Sequence, residues 1–288
     1  MPSNVGGCGK DPMPELPEVE TTRRLLDPLV VARTVTGVEV PGRRVLRRHE
    51  RPTDLPDRLE GRRIERTDRV GKFLLMGLEG DLTWVIHLGM SGRLTVVAHD
   101  APETPHTTLE AAFEDGSALR FVDPRTFGWS AVWTPQEVAA SPLARLGPDA
   151  LEAPPDVEGF ARRLEGRRAP IKSLLLDQTV IAGLGNIYAD EALHRARISP
   201  RRPAGRISRR RLGLLLAAIE DVLDAALAAG GTSLDDMAYL LPDGRAGDYM
   251  TELRVYGRGG EPCLGCHQTL RSATIGGRTA TWCPRCQR

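Results

Sequence analysis

The sequence lacks long apolar runs and a secretory signal, and both absences limit what the protein can be. Nowhere in its 288 residues do about eighteen apolar side chains follow one another, as a membrane-spanning helix requires. The first twelve residues have no apolar core of the kind that directs secretion. Their glycine, proline, serine and asparagine content is typical of a disordered extension. We therefore expect a cytoplasmic protein without a membrane partner.

Lysine is also scarce, which makes each lysine informative. Only three of the 39 basic residues are lysines, namely Lys10, Lys72 and Lys172. An amine can give up its proton when buried, whereas a guanidinium cannot, so a lysine retained in an arginine-rich chain is a candidate for proton transfer. Lys10 lies in the N-terminal extension, which leaves Lys72 and Lys172 as candidates.

Arginine is concentrated in three clusters, although the net charge is only +1. Eight arginines and no acid lie between Arg195 and Arg211, and six arginines accompany one acid in residues 254–288. The third cluster comprises Arg43, Arg44, Arg47 and Arg48. A single cluster is usually a solvated face, but three together indicate a surface that faces a polyanion such as nucleic acid.

Secondary-structure signals predict an α+β protein with strands first and helices later. Acids followed by basic residues indicate a helix over residues 14–26. Short apolar or alternating runs predict strands at 34–40, 73–78, 82–88, 93–97, 109–113 and 118–122, in a sandwich or barrel. A proline-rich stretch at 135–155 reads as a linker or short helical turns. One helix is then expected to begin near Gly185, and an apolar stripe predicts another over 212–227.

Four cysteines near the C-terminus form the clearest chemical motif. They are spaced Cys-x2-Cys-x16-Cys-x2-Cys and comprise Cys263, Cys266, Cys283 and Cys286. This spacing predicts a tetrahedral Zn²⁺ site, and four protein ligands leave no open position, so the metal is structural. An iron–sulfur site is the less favoured alternative, and disulfides do not suit a cytoplasmic chain. We expect the Gly-Gly turn between the cysteine pairs to expose Arg278 towards phosphate.

Two short loops display side chains suited to opening a duplex. Residues 87–92 carry Met90, and residues 123–128 carry Arg125 and Phe127. Side chains of these types, when presented on loops, can wedge between bases and replace a nucleotide that has left the stack.

The sequence MPELPEVE, at residues 13–20, predicts a nucleophile if the working chain begins at Pro14. Removal of Met13 would leave a secondary amine with a pKa of about 8 beside the carboxylate of Glu15. Twelve residues precede Met13, however, and an amide nitrogen cannot attack. We therefore expect translation to start at Met13, or the extension to be cleaved, so that residues 1–12 are absent from the active protein.

Together these motifs resemble the formamidopyrimidine-DNA glycosylase family, which also contains endonuclease VIII. PELPEVE, HLGMSG, DPRTFG, GLGNIYADE and VYGRGGEPC occur in the family's order between Pro14 and Cys286. PELPEVE and the DPR-x-FG loop resemble the formamidopyrimidine branch. Thr126 departs from the more usual DPRRFG, which removes one possible phosphate contact.

The resemblance implies a fold and a division of the chain. An N-terminal catalytic β-sandwich is expected at 14–132, a helix–two-turn–helix domain at 151–250 and a zinc finger at 251–288. The disordered extension is then 1–13, and the linker is 133–150.

The resemblance also implies a mechanism. Pro14 attacks C1′ of the damaged nucleotide, Glu15 transfers protons and Glu18 is a supporting acid. Lys72 promotes β-elimination from the resulting Schiff base, and Arg278 grips phosphate and assists δ-elimination. The residues implied to contact DNA are His106, Arg125, Arg168, Lys172 and Asn186. Met90, Arg125 and Phe127 fill the void, with Arg125 facing the orphaned cytosine, and Gly244 and Arg245 belong to the lesion-capping loop.

The predicted function is a bifunctional DNA glycosylase and AP lyase that removes oxidised purines from duplex DNA, as a monomer with one structural Zn²⁺. One alternative is an endonuclease VIII-like enzyme for oxidised pyrimidines, and another is a catalytically silent damage binder that retains the extension. A zinc-ribbon adaptor would explain the cysteines and arginines but not PELPEVE or the paired loops.

Overall fold

Two antiparallel sheets dominate the first half of the chain. The structure, a computed structural model, describes residues 14–98, 100–233 and 240–288, so the predictions for the N-terminal extension lie outside it. The strands are β1 (Val35–Glu39), β2 (Ile64–Val70), β3 (Phe73–Leu78), β4 (Leu82–His87), β5 (Arg93–Ala98), β6 (Thr107–Phe113), β7 (Ser117–Val122) and β8 (Trp129–Trp133). They form one sheet of order β1-β6-β7-β5 and another of order β2-β3-β4-β8. The predicted hairpin joins β6 to β7.

The core of this half lies between the two sheets. Leu74 and Trp84 from one sheet pack in the same buried cluster as Leu119 and Phe121 from the other. Trp84 satisfies its indole N–H by donating to Ser130 Oγ at 2.7 Å. The alternating apolar side chains therefore close a β-sandwich, which confirms the predicted fold class.

Helices make up most of the remainder. They are α1 (Leu16–Val30), α2 (Asp54–Leu59), α3 (Pro135–Ala140), α4 (Val157–Leu164), α5 (Ile171–Leu175), α6 (Asn186–Arg195) and α7 (Arg209–Ala228). Short 3₁₀ helices occur at Arg43–Leu46, Pro142–Arg145, Ala204–Arg206 and Tyr249–Glu252. The second core is built by α4 to α7, and Leu16 of α1 also reaches it. No helix within the described ranges is long and apolar enough to cross a membrane.

The C-terminal segment is a hairpin docked on α6. Strands β9 (Arg271–Ile275) and β10 (Arg278–Trp282) pair antiparallel. Asp190 of α6 accepts a hydrogen bond from Thr281 N at 3.0 Å, so it holds β10. Glu191 accepts from the successive backbone N–H groups of residues 254–256 at 2.8–2.9 Å, so it holds the entry to the segment. Two adjacent acids therefore fix a segment too short to form a core of its own.

The structure differs from the sequence predictions in three places. Strand β2 was not predicted because four of its seven residues are charged, and strand β8 was not predicted either. Helix α1 extends to Val30 rather than ending at residue 26, with Pro28 in its last turn. The proline-rich stretch contains α3 and a 3₁₀ helix, as one of its two readings allowed. The domain boundaries remain predictions.

Candidate active site

Two buried carboxyls lie at the start of α1. Glu15 precedes the first turn, and Pro17 within that turn suits the N-terminus of a helix because its missing N–H needs no partner there. Glu18 accepts a hydrogen bond from Glu15 N at 2.9 Å and another from Thr232 N at 2.7 Å. Tyr188 also donates its hydroxyl to Glu18. Glu15 and Glu18 are each only 2% exposed, so both acids are removed from water.

The Glu15 carboxylate lies against the N-terminus of α6. Ile187 N donates to its Oε1 at 3.0 Å, and helix N-termini favour negative charge. A Cβ on Gly185 would lie 2.2 Å from Glu15 Cδ, and one on Gly183 would lie 2.3 Å from Leu16 Cδ1. The glycines of GLGN therefore allow α6 to approach Glu15 this closely. Within the described chain, Oε2 of Glu15 has no hydrogen-bond partner.

Burial changes the acidity of this carboxyl pair. Desolvation, helped by the charge of Glu15, raises the pKa of Glu18 to about 7. Desolvation also raises the pKa of Glu15, while Lys72 and the Ile187 N–H oppose that rise. Glu18 therefore keeps its proton to about neutral pH, and a carboxyl with a raised pKa is suited to general acid catalysis.

Lys72 faces the same cleft, which has a volume of about 870 Å³ and is also lined by Glu15, Met90, Asn186 and Arg278. The lysine is 6% exposed, and burial lowers its pKa, although the charges of the two acids oppose the change. A lysine with a lowered pKa supplies a fraction of neutral amine that can accept a proton. The structure thus brings together residues separated by up to 263 positions in sequence.

Arg278 reaches the cleft from the C-terminal hairpin. Gly276 and Gly277 form its turn with φ values of 59° and 76°, which glycine adopts without strain. A Cβ on Gly276 would lie 2.6 Å from Ser173 Oγ, so the turn sits close to α5. Arg278 opens β10 and is exposed, as the sequence predicted.

Lys172 lies beneath this hairpin rather than on a surface. Its side chain is fully buried, and Nζ donates to Asp190 Oδ1 at 2.6 Å and to Thr279 O at 2.8 Å. A direct contact between Lys172 and DNA remains a prediction. Among the other predicted DNA contacts, His106 and Arg168 are exposed, and Asn186 is the first residue of α6.

The two predicted wedge loops lie side by side. Ser91 Oγ accepts from Arg125 N at 3.1 Å, which links the loop of Met90 to the loop of Phe127. Met90 is half-buried, whereas Phe127 is 43% exposed despite its large apolar ring. The guanidinium of Arg125 lies 5.5 Å from the centre of that ring. The structure therefore brings all three predicted void-filling residues to one place, and an exposed phenylalanine there suits insertion into a duplex.

The predicted lesion-capping loop, residues 242–247, lies within the described part of the chain. Gly244 has a φ of 83°, and Arg245 pairs with Asp243 at 2.7 Å. At the base of the loop, Gly247 N donates to Ser233 Oγ at 2.8 Å. The base is therefore anchored next to Thr232, which donates to Glu18.

The four predicted metal ligands converge. Their Sγ atoms all lie within 4.8 Å of one another. Cys266 Sγ lies 3.5 Å from Cys283 Sγ and 3.4 Å from Cys286 Sγ. Sulfur ligands at about 2.3 Å from a tetrahedral metal lie about 3.8 Å apart, so this cluster has the size needed to hold a metal ion.

Three residues of the site were not singled out in sequence. Tyr188 contacts Glu18, Asp190 contacts Lys172, and Tyr256 lines the cleft near Arg278. Burial raises the pKa of Tyr256 to about 12, so it stays a hydrogen-bond donor. Tyr188 and Asp190 lie in GNIYADE, and Tyr256 lies in VYGRGGEPC. The motifs therefore drew attention to these segments, but they could not show which residues the three side chains contact.

Comparisons with known proteins agree with this arrangement. Residues 13–130 match the formamidopyrimidine-DNA glycosylase N-terminal domain, and residues 146–238 match the formamidopyrimidine-DNA glycosylase H2TH domain. These matches cover a sandwich followed by a helical DNA-glycosylase domain, which defines the class of the protein.

Full-length relatives extend the match. The formamidopyrimidine-DNA glycosylase of Stutzerimonas stutzeri is 45% identical over 276 residues, covering 96% of this chain and 100% of the relative. That of Mycobacterium ulcerans is 42% identical, with coverages of 96% and 98%. The chain therefore belongs to the formamidopyrimidine-DNA glycosylase family.

Solved structures are similar over the same extent. The MutM (Fpg) protein of Thermus thermophilus superposes with a TM-score of 0.84 at 42% identity, covering 95% of this chain and 98% of that one. Lactococcus lactis Fpg, solved as a complex with DNA containing an abasic site, gives a TM-score of 0.87 at 32% identity. The coverages there are 96% and 100%.

Proposed function

We propose that this protein removes oxidised purines from duplex DNA and then cleaves the strand at the resulting abasic site. The observation that carries the proposal is the cleft in which a buried acid, a buried amine and an arginine converge, in a chain of the formamidopyrimidine-DNA glycosylase family. The substrate class follows the names of the relatives and the DNA complexes of the structural neighbours. The formamidopyrimidine-branch match does not favour the alternative of oxidised pyrimidines.

The proposed nucleophile is the amine of Pro14, which requires a chain that begins there. Its nitrogen would form a bond to C1′ of the lesion while the bond from C1′ to the base breaks. Glu15 adjoins Pro14 and burial raises the pKa of its carboxyl, so we assign it the proton that leaves with the base. The C1′–O4′ bond would then break, with the proton lost by the Pro14 nitrogen passing to O4′, and the nitrogen lone pair would form an iminium with C1′.

We assign strand cleavage to Lys72 and Arg278, which also line the cleft. The iminium makes the C2′ proton acidic, and the neutral amine of Lys72 can accept it as the 3′ phosphate leaves. We assign phosphate binding, and support for loss of the second phosphate by δ-elimination, to Arg278, which lines the same cleft. Burial lowers the pKa of Lys72, which supports its role as the base.

DNA would lie across the cleft. We propose contacts from His106, Arg125, Arg168 and Asn186, void filling by Met90, Arg125 and Phe127, and capping of the everted base by the loop of Gly244 and Arg245. Lys172 is more easily understood as a support for the hairpin than as a phosphate contact, because its ammonium is already bound. The enzyme would work as a monomer in the bacterial cytoplasm, where its DNA substrate lies.

We further propose that the metal is Zn²⁺. Four thiolates suit Zn²⁺, and the ligand residues would be Cys263, Cys266, Cys283 and Cys286. The ion would staple the hairpin that carries Arg278, so its role is structural. The proposed chemistry passes entirely through side chains and the N-terminal amine.

Borohydride trapping tests the nucleophile. A protein that begins at Pro14 should form a covalent adduct with duplex DNA containing 8-oxoguanine when borohydride is present. The matched control begins at Met1, where the Pro14 nitrogen is an amide, and should form no adduct through Pro14. Absence of an adduct with the shorter protein would refute the proposal. The intact mass of the native protein then shows which form the cell makes.

The lesion preference is tested separately. Single-turnover rates on duplexes with 8-oxoguanine and with dihydrothymine should favour 8-oxoguanine. A preference for dihydrothymine would support the endonuclease VIII-like alternative instead.

A further inference from the structure

The wedge loops, residues 87–92 and 123–128, touch along their backbones. A Cβ on Gly89 would lie 2.3 Å from Gly128 N and 2.5 Å from the carbonyl carbon of Phe127. No side chain fits between the loops at this point. Because the contact is backbone against backbone, a shift of one loop displaces the other and the wedge residues on both.

The inner side of the wedge loops is held by buried groups. Asp123 is 1% exposed, and it accepts from Ser91 Oγ and from Gly128 N, each at 2.6 Å. Ser91 Oγ in turn accepts from Arg125 N at 3.1 Å. These bonds satisfy N–H groups of the second loop and leave the Phe127 and Gly128 carbonyls to other donors.

Arg47 supplies those donors from the outer side. Its guanidinium donates to Phe127 O at 2.5 Å and to Gly128 O at 2.6 Å. A third bond goes to Arg44 O at 3.0 Å. Arg47 follows the 3₁₀ helix Arg43–Leu46, whose Val45 and Leu46 are buried in the sandwich core. The guanidinium is thus tied to the rigid part of the protein and holds two successive carbonyls of the loop with its forked donors.

The loop needs such a restraint at this position. Thr126 has a φ of 55°, a left-handed conformation that a β-branched residue rarely adopts. A residue held there remains only when its surroundings impose the conformation. The next residue is Phe127, whose ring lies 5.9 Å from the Arg44 guanidinium and 5.5 Å from that of Arg125.

We propose that Arg47 is a positioning residue for the wedge: its hydrogen bonds to the Phe127 and Gly128 carbonyls fix how far Phe127 and Arg125 project into the duplex. The specificity part of this inference rests on the proposed function, because discrimination of the opposite base is measured here by the rate of base excision. Arg47 then controls unstacking and the choice of opposite base, beyond any contribution of its charge to affinity.

Three variants separate position from charge. Arg47→Met removes the donors and the charge, whereas Arg47→Lys keeps the charge but cannot bridge both carbonyls. Arg43→Met removes a charge from the same cluster, and Arg43 makes no hydrogen bond to the wedge loops in the described structure. The probe is a duplex with an uncleavable tetrahydrofuran site and 2-aminopurine beside it, whose fluorescence rises when Phe127 unstacks the bases.

At saturating protein, we expect Arg47→Met and Arg47→Lys to lose at least about half of the fluorescence rise, and Arg43→Met to keep it. With 8-oxoguanine, the ratio of single-turnover rates opposite cytosine and opposite adenine should fall about tenfold for both Arg47 variants, as expected from lost charged hydrogen bonds. If Arg47→Met lowers only the affinity and its salt dependence, as Arg43→Met would, Arg47 is a phosphate contact and the proposal is overturned.

A double variant guards against a general effect on folding. In a Phe127→Ala background, adding Arg47→Met should change the fluorescence no further, because Arg47 acts through Phe127. A further loss of the same size as in the wild type would overturn the proposal. The tetrahydrofuran readout needs no excision, so it tests the position of the wedge even if wild-type protein fails to release 8-oxoguanine and the proposed function is wrong.

Discussion

Lys72 and Lys172 are the two lysines in the described part of the chain, and burial lowers the pKa of both. Lys172 Nζ is held by Asp190 and by the Thr279 carbonyl. Lys72 Nζ makes no hydrogen bond to a described residue and faces the cleft. An amine fixed by two acceptors is committed to structure, whereas one that faces a cleft can exchange a proton with a substrate. Two lysines that are similarly buried are therefore suited to different roles, Lys172 to structure and Lys72 to proton transfer.

The largest effect is expected on removal of the proposed metal. Lys172 binds the hairpin that this metal would staple, whereas Lys72 belongs to the sandwich. Metal binding to a four-cysteine site is worth about 10 kcal/mol or more, so a chelator should abolish hydrogen-exchange protection in residues 271–282. Protection of β3 and β4 should persist, and added Zn²⁺ should restore the hairpin. A hairpin that stays protected in verified metal-free protein would contradict this prediction.

Substitution of Lys72 should affect chemistry and leave stability intact. We expect Lys72→Met to lower the rate of cleavage at a preformed abasic site by about 10²- to 10⁴-fold, because a general base is lost. The free energy of unfolding should not fall, since methionine is easier to bury than an amine. Single-turnover cleavage and urea unfolding measure the two quantities. Wild-type cleavage by this variant would assign the proton transfer to another group.

Substitution of Lys172 should lower the stability of the protein. Lys172→Met leaves Asp190 as an uncompensated buried acid, and breaking a buried ion pair in this way costs about 3–5 kcal/mol of unfolding free energy. The double variant Lys172→Met, Asp190→Asn should recover much of that loss, because it removes both charges while the asparagine oxygen can still accept from Thr281 N. Urea unfolding of the wild type, the single variant and the double variant measures the loss and the recovery of unfolding free energy. An unchanged stability in the single variant would show that Asp190 finds another partner.

The smallest expected effect is a pH dependence of stability caused by Glu18. Its folded pKa of about 7 lies above its ordinary value of 4.5, so the folded protein binds the proton more tightly than the unfolded chain does. Stability from this group is therefore greatest at low pH and declines as the pH rises from about 4.5 to 7. Each pKa unit corresponds to about 1.4 kcal/mol, which sets an upper limit of about 3 kcal/mol.

The variant Glu18→Gln supplies the control, because glutamine does not titrate. Its loss of unfolding free energy between pH 5 and pH 8 should be smaller than that of the wild type. An equal loss in both proteins would show that other groups cause the pH dependence.

Much of this organisation could be predicted because the relevant signals are local. The cysteine spacing predicted a cluster, and the strand runs at 73–78 and 118–122 predicted strands to within a residue. Strand β2 was missed because two of its three buried residues are Thr67 and Arg69, so its buried face is not apolar. In such a strand the neighbours, rather than the pattern, decide the structure.

The contacts of the site could not be predicted in the same way. Nothing local indicates that Glu18 would meet Tyr188 and Thr232, which lie more than 160 residues away. Scarcity marked both lysines as unusual but could not separate them, because the difference depends on Asp190 and Thr279. Arg47 was noted only as part of a charged cluster, although its hydrogen bonds are to backbone carbonyls.

The adjacent acids of α6 have a consequence for the order of assembly. Asp190 and Glu191 leave the ribosome more than sixty residues before the backbone groups they bind at 254–256 and 281. Asp190 and Glu191 are therefore already synthesised when the C-terminal segment that they bind leaves the ribosome. A truncated chain that ends before residue 254 would leave Glu191 without its three backbone N–H donors and Asp190 with Lys172 alone. The hydrogen bonds of helix α6 are therefore incomplete until translation has passed residue 281.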